Sequence, residues 1–408
     1  MKVLWLKSEL LHQVDKGGKI RTYQILKHLK RDHDVTYMAL ADPASSREPA
    51  KLANEYCHRV ITVPWQDTTR FSARFYRDLV MNLSSPLPYA IEKYRSRQMR
   101  REIEREQRAN PYDVVVCDFL VPSVNLPARG ARTTILFQHN VESMIWRRHY
   151  ENQTTALKKA YFYRQWEKMF AYESDTCRRF DAVVAVSDVD RDFMRDHYGV
   201  SAVHDVPTGV DTEYFQPTAT SQEGAELVFT GSMDWMPNED AVIYFTDEVL
   251  PRIAAVIPDV TLTVVGRNPT GRIRALARAN SRIRITGRVE DIRPHVARAA
   301  AYVVPLRVGG GTRLKIYEAM AMGKPVISTT IGAEGLPVDD GKELLIADGP
   351  ERFAQAVIRV LRDRELANGL SSRARAVVCE RFGWEKAAAV FAEICENAAS
   401  KQPRSRAA

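Results

Sequence analysis

Residues 302–335, YVVPLRVGGGTRLKIYEAMAMGKPVISTTIGAEG, decide how this chain folds. They open with a short apolar run, which is typical of a buried strand. Gly309, Gly310 and Gly311 follow, and consecutive glycines let the backbone adopt positive φ and approach a ligand closely. Thr312 can cap a helix that begins at this turn. The stretch therefore predicts a strand, a glycine turn, a helix and another strand.

The start of that helix is a predicted anion site. Free backbone N–H groups and the positive end of the helix dipole meet there, an arrangement that suits a phosphate. Arg313 and Lys315 add two positive charges within one turn. Glu318 shares a helix face with Lys315 and lies among Ala and Met residues. We therefore expect a half-buried carboxylate that accepts a hydrogen bond from a ligand hydroxyl. Arg313, Lys315 and Glu318 are predicted catalytic residues, and the glycines with Thr312 are predicted binding residues.

Two familiar nucleotide-binding motifs do not match this turn. A P-loop requires Gly-x-x-x-x-Gly-Lys-Ser/Thr, and the order of residues here is different. A dinucleotide fingerprint requires Gly-x-Gly-x-x-Gly after the first strand of its domain, whereas this turn comes late in the chain.

The composition indicates a folded protein of two domains. A chain of 408 residues is long for one hydrophobic core, and 45% hydrophobic with 27% charged residues is usual for a globular protein. The first residues, MKVLWLKSELL, predict a strand and not a signal peptide. The five scattered cysteines favour a reduced, cytoplasmic setting and do not show the spacing of a metal site.

Both halves alternate apolar runs with helical patterns, which predicts an α/β fold with parallel sheets. We place an N-terminal domain at 1–206, a linker rich in Thr, Pro and Gly at 207–225, and a C-terminal domain at 226–382. A helix at 383–399 and a disordered tail at 400–408 complete the chain. Strands are predicted at 3–6, 35–40, 60–63, 114–117, 134–137, 182–186, 227–230, 260–265, 283–286, 301–305, 325–328 and 343–346.

Two further positions have the pattern of functional sites. Gly17 and Gly18 follow the first strand and open a helix, which is again an arrangement that can bind an anion. His139 stands just after a predicted strand, where α/β sheets present functional side chains. It could donate a hydrogen bond to a ligand hydroxyl or stabilise charge on a bound ligand, or it could only cap the helix that follows. The acidic pair at 188 and 190 is explained by Ser187, which can cap the helix that follows.

The segment 302–335 resembles the nucleotide-sugar motif of the family 4 glycosyltransferases. The match is specific because a basic helix start, an EAMA-x-G-K-P-V continuation and a trailing G-A-E-G occur in register. The residues that carry it are Pro305, the glycine turn, Lys315, EAMA at 318–321, GKPV at 323–326 and GAEG at 332–335.

The resemblance implies the GT-B fold, in which two Rossmann-like, doubly wound domains face a central cleft and the last helix crosses back to the first domain. It implies transfer of a sugar with retention, without a metal or other cofactor, from a nucleotide diphosphate-sugar. The donor sugar could be linked to UDP, GDP or dTDP. Gly17 and Gly18 would contact the donor diphosphate, and His139 would act catalytically. Gly231, Gly287 and Arg288 would line the donor site at the ends of their strands.

The chain departs from the family pattern at two places. Ser232, and then Pro237 and Asn238, stand where that pattern has an arginine and, about five residues later, a lysine. Gly310 stands eight residues before Glu318, where the family has a first glutamate. We expect Arg313 and Lys315 to supply the missing positive charge. The departures leave the identity of the sugar open.

The resemblance also suggests an acceptor and a cellular setting. A glycan or a polyprenyl-linked glycan fits bacterial polysaccharide assembly at the inner face of the cytoplasmic membrane. Residues 70–108 carry a net charge of +5, and 144–180 are basic and rich in aromatic residues. These helices could contact a membrane surface, or they could be solvated helices with core aromatic residues.

Two alternatives belong to other functional classes. A nucleotide-sugar epimerase of the same fold would need acids and bases for proton transfer at the sugar, and no paired carboxylates indicate them. A basic nucleic-acid-binding protein would need a recognised motif or a concentrated basic face, and the net charge of +8 is moderate. We therefore do not expect a nucleic-acid partner.

Overall fold

A computed structural model describes residues 1–14, 17–69, 71–127, 133–151, 153, 155–218, 224–308 and 314–401. The chain forms two compact units. Unit 1 consists of Met1–Pro207 together with Trp384–Ala408, and unit 2 consists of Thr208–Gly383. Most of the segment assigned to a linker therefore belongs to unit 2, and its residues 219–223 lie outside the described residues, as do 402–408.

Unit 1 is built on a sheet of seven parallel strands in the order β3-β2-β1-β4-β5-β6-β7. The strands are β1 (Lys2–Lys7), β2 (Asp34–Ala41), β3 (Arg59–Pro64), β4 (Val114–Asp118), β5 (Thr134–Phe137), β6 (Ala182–Ala185) and β7 (Val203–Asp205). The helices are α1 (Gly17–Asp32), α2 (Arg47–Lys51), α3 (Ala73–Asn82), α4 (Tyr89–Glu92), α5 (Arg97–Ala109), α6 (Glu142–Glu151), α7 (Ala156–Arg179) and α8 (Asp188–Tyr198).

Unit 2 is built on six parallel strands in the order β10-β9-β8-β11-β12-β13. The strands are β8 (Glu226–Thr230), β9 (Thr261–Val265), β10 (Ile283–Gly287), β11 (Ala301–Val304), β12 (Val326–Ser328) and β13 (Leu345–Ile346). The helices are α9 (Met236–Tyr244), α10 (Leu250–Ala254), α11 (Gly271–Ala279), α12 (Arg293–Arg298), α13 (Leu314–Ala321), α14 (Thr330–Ala333), α15 (Pro350–Arg362) and α16 (Arg364–Arg381). The last helix of the chain, α17 (Trp384–Lys401), belongs to unit 1.

The predicted α/β class with two parallel sheets is confirmed. In each sheet the strand order reverses beside the first strand, between β1 and β4 in unit 1 and between β8 and β11 in unit 2. Loops leave such a switch point in opposite directions, which opens a crevice at the carboxyl ends of the strands. Each unit therefore has one edge at which functional side chains are expected.

The central strands are buried on both faces, which explains their continuous apolar runs. Phe391 of α17 is fully buried in unit 1, where its ring lies 5.3 Å from Trp5 and 5.0 Å from Phe137 between ring centroids. In the part of the chain that the structure describes, no helix is both long and apolar enough to span a bilayer.

Candidate functional site

Three neighbouring strands of unit 2 end in glycine at the same edge. Gly231, Gly266 and Gly287 follow or end β8, β9 and β10, and a Cβ on Gly266 would lie only 1.7 Å from the Gly231 carbonyl oxygen. Gly287 has a φ of +73°, which glycine adopts without strain. The backbone segments that follow these strands therefore pass close to one another at this edge, and a side chain at Gly266 would not fit between them.

Lys315 lies at this edge in the first turn of α13. Its ammonium Nζ donates to Asn238 Oδ1 at 2.9 Å and stands 4.3 Å from the centre of the Phe229 ring. A Cβ on Gly231 would lie 3.0 Å from the same Nζ atom. Residues from β8, α9 and α13 thus hold one positive charge at the switch point of unit 2.

Glu318 follows one turn later on α13 and is half-buried, as expected. Burial raises the pKa of its carboxyl to about 7, although nearby Lys315 acts to lower it. No donor among the described residues hydrogen-bonds to this carboxylate. A half-buried carboxylate in this situation is suited to accept a hydrogen bond from a ligand hydroxyl.

The other predicted residues of unit 2 are placed less fully. Gly309, Gly310, Gly311, Thr312 and Arg313 lie outside the described residues. Arg288 is exposed, and with Gly287 it lines a cavity of ≈ 540 Å³ beside α11. Arg274 and Arg278 of α11 line the same cavity, which leaves this side of the edge positively charged.

The corresponding edge of unit 1 contains a buried network around Asp118. This carboxylate is fully buried at the end of β4, and its Oδ2 accepts from Lys7 Nζ at 2.8 Å and from the Thr22 hydroxyl at 2.7 Å. Trp5 Nε1 donates to the same oxygen at 2.9 Å. Burial acts to raise the pKa of Asp118, but Lys7 and His139 outweigh it and hold the pKa well below its usual value.

His139 belongs to this network, and each of its ring nitrogens lies close to one charged side chain. Nε2 lies 2.8 Å from Asp118 Oδ1, and Nδ1 lies 3.2 Å from Arg21 Nη1. Because the guanidinium can only donate, Nδ1 is the acceptor and Nε2 carries the proton. Burial lowers the pKa of His139 to about 3, so the ring is neutral. The ring is only 4% exposed, so the expected direct bond to a sugar hydroxyl is not available to it in this arrangement.

Phe119 gives Gly18 a packing role. The ring stacks on His139 with centroids 3.9 Å apart, and Phe119 has a φ of +71° that is unusual for a bulky residue. A Cβ on Gly18 would lie 2.7 Å from Phe119 Cζ. The absence of a side chain at Gly18 is therefore explained by contact with Phe119, while Gly17 is exposed at the start of α1.

The segments after β5 and β6 begin helices. Glu173 of α7 accepts from the backbone N–H groups of Glu142 and Ser143, both at 2.8 Å, and so caps α6. Ser187 caps α8, as predicted, by accepting from Asp190 N at 3.1 Å. Within the described ranges no three His, Cys, Asp or Glu side chains are grouped as metal ligands.

Sequence reasoning missed Asp118, Lys7, Arg21 and Asn238. One available signal was Lys7 at the end of an otherwise apolar first strand, because a lysine there needs a buried acidic partner. Asp118 ends the apolar run VVVCD in the same way. Their pairing across 111 residues has no local signal.

Comparison with known families settles the class. Residues 16–214 match the profile described as Glycosyltransferase Family 4, and residues 224–363 match the profile described as Glycosyl transferases group 1. The chain is a family 4 glycosyltransferase. Its resemblance at residues 302–335 is therefore confirmed at the level of the family, and the two matches together span most of both units.

Relatives of this glycosyltransferase are distant. An uncharacterized 44.6 kDa protein in the cps region of Klebsiella pneumoniae is 22% identical, over 96% of this chain and 98% of that protein. A phosphatidyl-myo-inositol mannosyltransferase of Mycolicibacterium smegmatis is 29% identical, over 52% of this chain and 56% of that protein. The match to the mannosyltransferase thus spans little more than half of either protein.

The GT-B fold of this glycosyltransferase is shared with solved structures. Anabaena HepE, solved in complex with UDP and glucose, superimposes with a TM-score of 0.67 at 14% identity. The match covers 97% of this chain and all of HepE. At this identity the likeness establishes the fold.

Proposed function

We propose that this glycosyltransferase transfers a sugar from a nucleotide diphosphate-sugar, with retention and without a metal ion, to a glycan or polyprenyl-linked acceptor. The observation that carries the donor assignment is the pair formed by Lys315 and Glu318 on α13. One turn of a helix presents an ammonium held by Asn238 and a half-buried carboxylate that accepts from no donor in the described part of the chain. A diphosphate and a ribose hydroxyl are the groups that such a pair would bind.

The named ligands of similar proteins support this donor class. HepE was solved with UDP and glucose, and part of the chain is similar to a protein named phosphatidyl-myo-inositol mannosyltransferase. These names leave the base open. UDP-, GDP- and dTDP-sugars remain the proposed donors.

The proposed reaction needs stabilisation of a leaving diphosphate. The bond between the anomeric carbon and the β-phosphate oxygen breaks, and a bond from the acceptor oxygen to the same face of that carbon forms. The acceptor hydroxyl proton passes to the leaving phosphate oxygen, so no protein nucleophile is required. A fixed cation such as Lys315 stabilises the charge that grows on the diphosphate.

Unit 1 is proposed to receive the acceptor. A cavity of ≈ 910 Å³ lies between α3, α4 and the residues after β3, and its lining combines aromatic with charged groups. Trp65 lines it, with its ring stacked on Tyr94 at 4.8 Å between centroids. Arg74 and Lys93 line it as well. Aromatic and cationic groups together suit a phosphorylated glycan.

Helix α3 is the proposed membrane contact within the basic stretch 70–108. Ser72 caps it by accepting from Phe75 N at 3.1 Å, and Asn82 is its only buried residue. The large apolar side chains exposed on and beside this helix are Phe71, Tyr76, Val80, Met81 and Leu83. An exposed apolar face flanked by arginines is suited to lie in the interface of a bilayer with anionic lipid.

The donor assignment is tested by thermal shift with UDP, GDP, dTDP, ADP and their sugar conjugates. A ligand that binds the folded state raises the melting temperature by mass action. We expect one base to stabilise the wild type and to lose that effect in Lys315→Ala. No shift with any nucleotide would contradict the proposed donor class.

Product analysis tests the rest of the reaction. Release of nucleotide that depends on an added acceptor distinguishes transfer from epimerisation, which needs no acceptor. The anomeric coupling constant of the product, measured by NMR, reports retention. Activity that is unchanged in excess EDTA supports a metal-independent reaction, and activity lost in EDTA and restored by a divalent ion would contradict it.

The membrane contact is tested by flotation with vesicles of phosphatidylcholine alone or with phosphatidylglycerol. We expect binding to the anionic vesicles, and a loss of binding in Val80→Asp and Met81→Asp. Val256→Asp changes an exposed valine of unit 2 and is the control. Equal flotation of all variants would contradict a role for α3.

A further inference from the structure

The side-chain amide of Asn238 can take only one orientation. Its Nδ2 donates to the Ser232 carbonyl oxygen at 2.9 Å, and its Oδ1 accepts from Lys315 Nζ at 2.9 Å. A carbonyl oxygen only accepts and an ammonium only donates, so a flipped amide would lose both bonds. Asn238 is 2% exposed, and its position is therefore fixed by packing as well.

Gly231 makes room for this arrangement. A Cβ at Gly231 would lie 2.5 Å from Asn238 Nδ2 and 3.0 Å from Lys315 Nζ, which is too close for either group to stay in place. Phe229 presents its ring to the ammonium from the strand just before. The sequence of β8 and the turn after it is thus adapted to the Asn238–Lys315 pair.

We infer that Asn238 is a positioning residue that holds the Lys315 ammonium for the donor diphosphate. This role rests on the proposed function. A neutral amide orients the ammonium without cancelling its charge, whereas a carboxylate at the same place would neutralise it. The family pattern has a lysine near position 238. In this chain Asn238 stands there, and we infer that it fixes the Lys315 ammonium, which supplies the positive charge instead.

Calorimetric titration with UDP, GDP, uridine and guanosine isolates the diphosphate contribution. For whichever nucleotide binds, we expect Asn238→Ala to weaken diphosphate binding about tenfold and to leave nucleoside binding unchanged. In a Lys315→Ala background the same substitution should cause no further loss. A merely structural role would weaken nucleoside and diphosphate alike.

Two more variants keep the test decisive. Asn238→Asp is nearly isosteric, and it should weaken diphosphate binding at least as much as Asn238→Ala because its carboxylate pairs with Lys315. Asn280→Ala is the matched control, since Asn280 Oδ1 accepts only from a backbone N–H at 3.0 Å elsewhere in unit 2.

The outcomes separate the two proposals. A loss in Asn238→Ala that persists in the Lys315→Ala background overturns the positioning role and leaves the donor assignment standing. Unchanged UDP and GDP affinity in Lys315→Ala alone overturns the diphosphate assignment, and the positioning role falls with it.

Discussion

In unit 1 the carboxylate at the switch point is buried and paired, whereas in unit 2 the carboxylate at the corresponding edge is half-buried. Asp118 accepts from Lys7, Thr22 and Trp5 and is fully buried. Glu318 is half-buried and accepts from no donor in the described part of unit 2. The same strand order thus places a buried, ion-paired carboxylate in one sheet and, among the described residues, a carboxylate without a donor in the other. Position at a switch point identifies an edge, and the burial and pairing of its polar groups distinguish the two edges.

The largest effect is expected at the unit 2 edge. Lys315→Ala should reduce transfer by about 10²–10³-fold, because it removes the fixed cation that stabilises the leaving group. The melting temperature without ligand should change little. Steady-state kinetics and a thermal melt check this, with the exposed Lys342→Ala as control. Near-normal turnover in Lys315→Ala would contradict a role for this lysine in stabilising the leaving group.

At the unit 1 edge we expect the opposite result. Asp118→Asn should lower the free energy of unfolding by about 3 kcal/mol, because it leaves the Lys7 ammonium buried without its carboxylate. Affinity for the nucleotide should be unchanged in the folded fraction. Denaturant unfolding measures the loss, with the exposed Asp32→Asn as control. A stable variant that has lost nucleotide affinity would show that this network serves the ligand.

Gly18 sharpens the comparison because packing and ligand contact predict different results. Gly18→Ala should destabilise the fold by about 1–2 kcal/mol through its clash with the Phe119 ring. In a Phe119→Ala background, Gly18→Ala should destabilise the fold much less, as a double-mutant cycle of melts would show. If the cycle shows no coupling and donor binding is lost instead, Gly18 serves a ligand.

The smallest effect is the pH dependence of donor binding. The pKa of Glu318 is raised to about 7 by burial, so the carboxyl is mostly protonated below that pH. Only the ionised form accepts at both oxygens, and affinity for the nucleotide should therefore rise a few-fold as pH increases through 7. The ratio of wild type to Glu318→Gln removes the titration of the phosphates. A ratio that does not change with pH would contradict the ribose role.

Local patterns predicted most of the fold and only part of the site. The strand–glycine–helix order around 302–335 and the half-burial of Glu318 follow from neighbours in sequence. The three-residue strand β7, with His204 at its centre, has no apolar run and was not predicted. Asn238 and Lys315 are 77 residues apart, and Lys7 and Asp118 are 111 apart. Which distant polar groups pair depends on the strand order, and no single segment encodes that order.

The place of α17 also affects the order in which the protein can be made. Unit 2 is one continuous segment, whereas unit 1 closes only when Phe391 packs between Trp5 and Phe137. A ribosome that delivers the chain from its N-terminus therefore completes unit 2 before unit 1 has received its last helix. The half of the protein that is synthesised first is the half that finishes folding last, and its aromatic face stays uncovered until the whole of unit 2 has been synthesised.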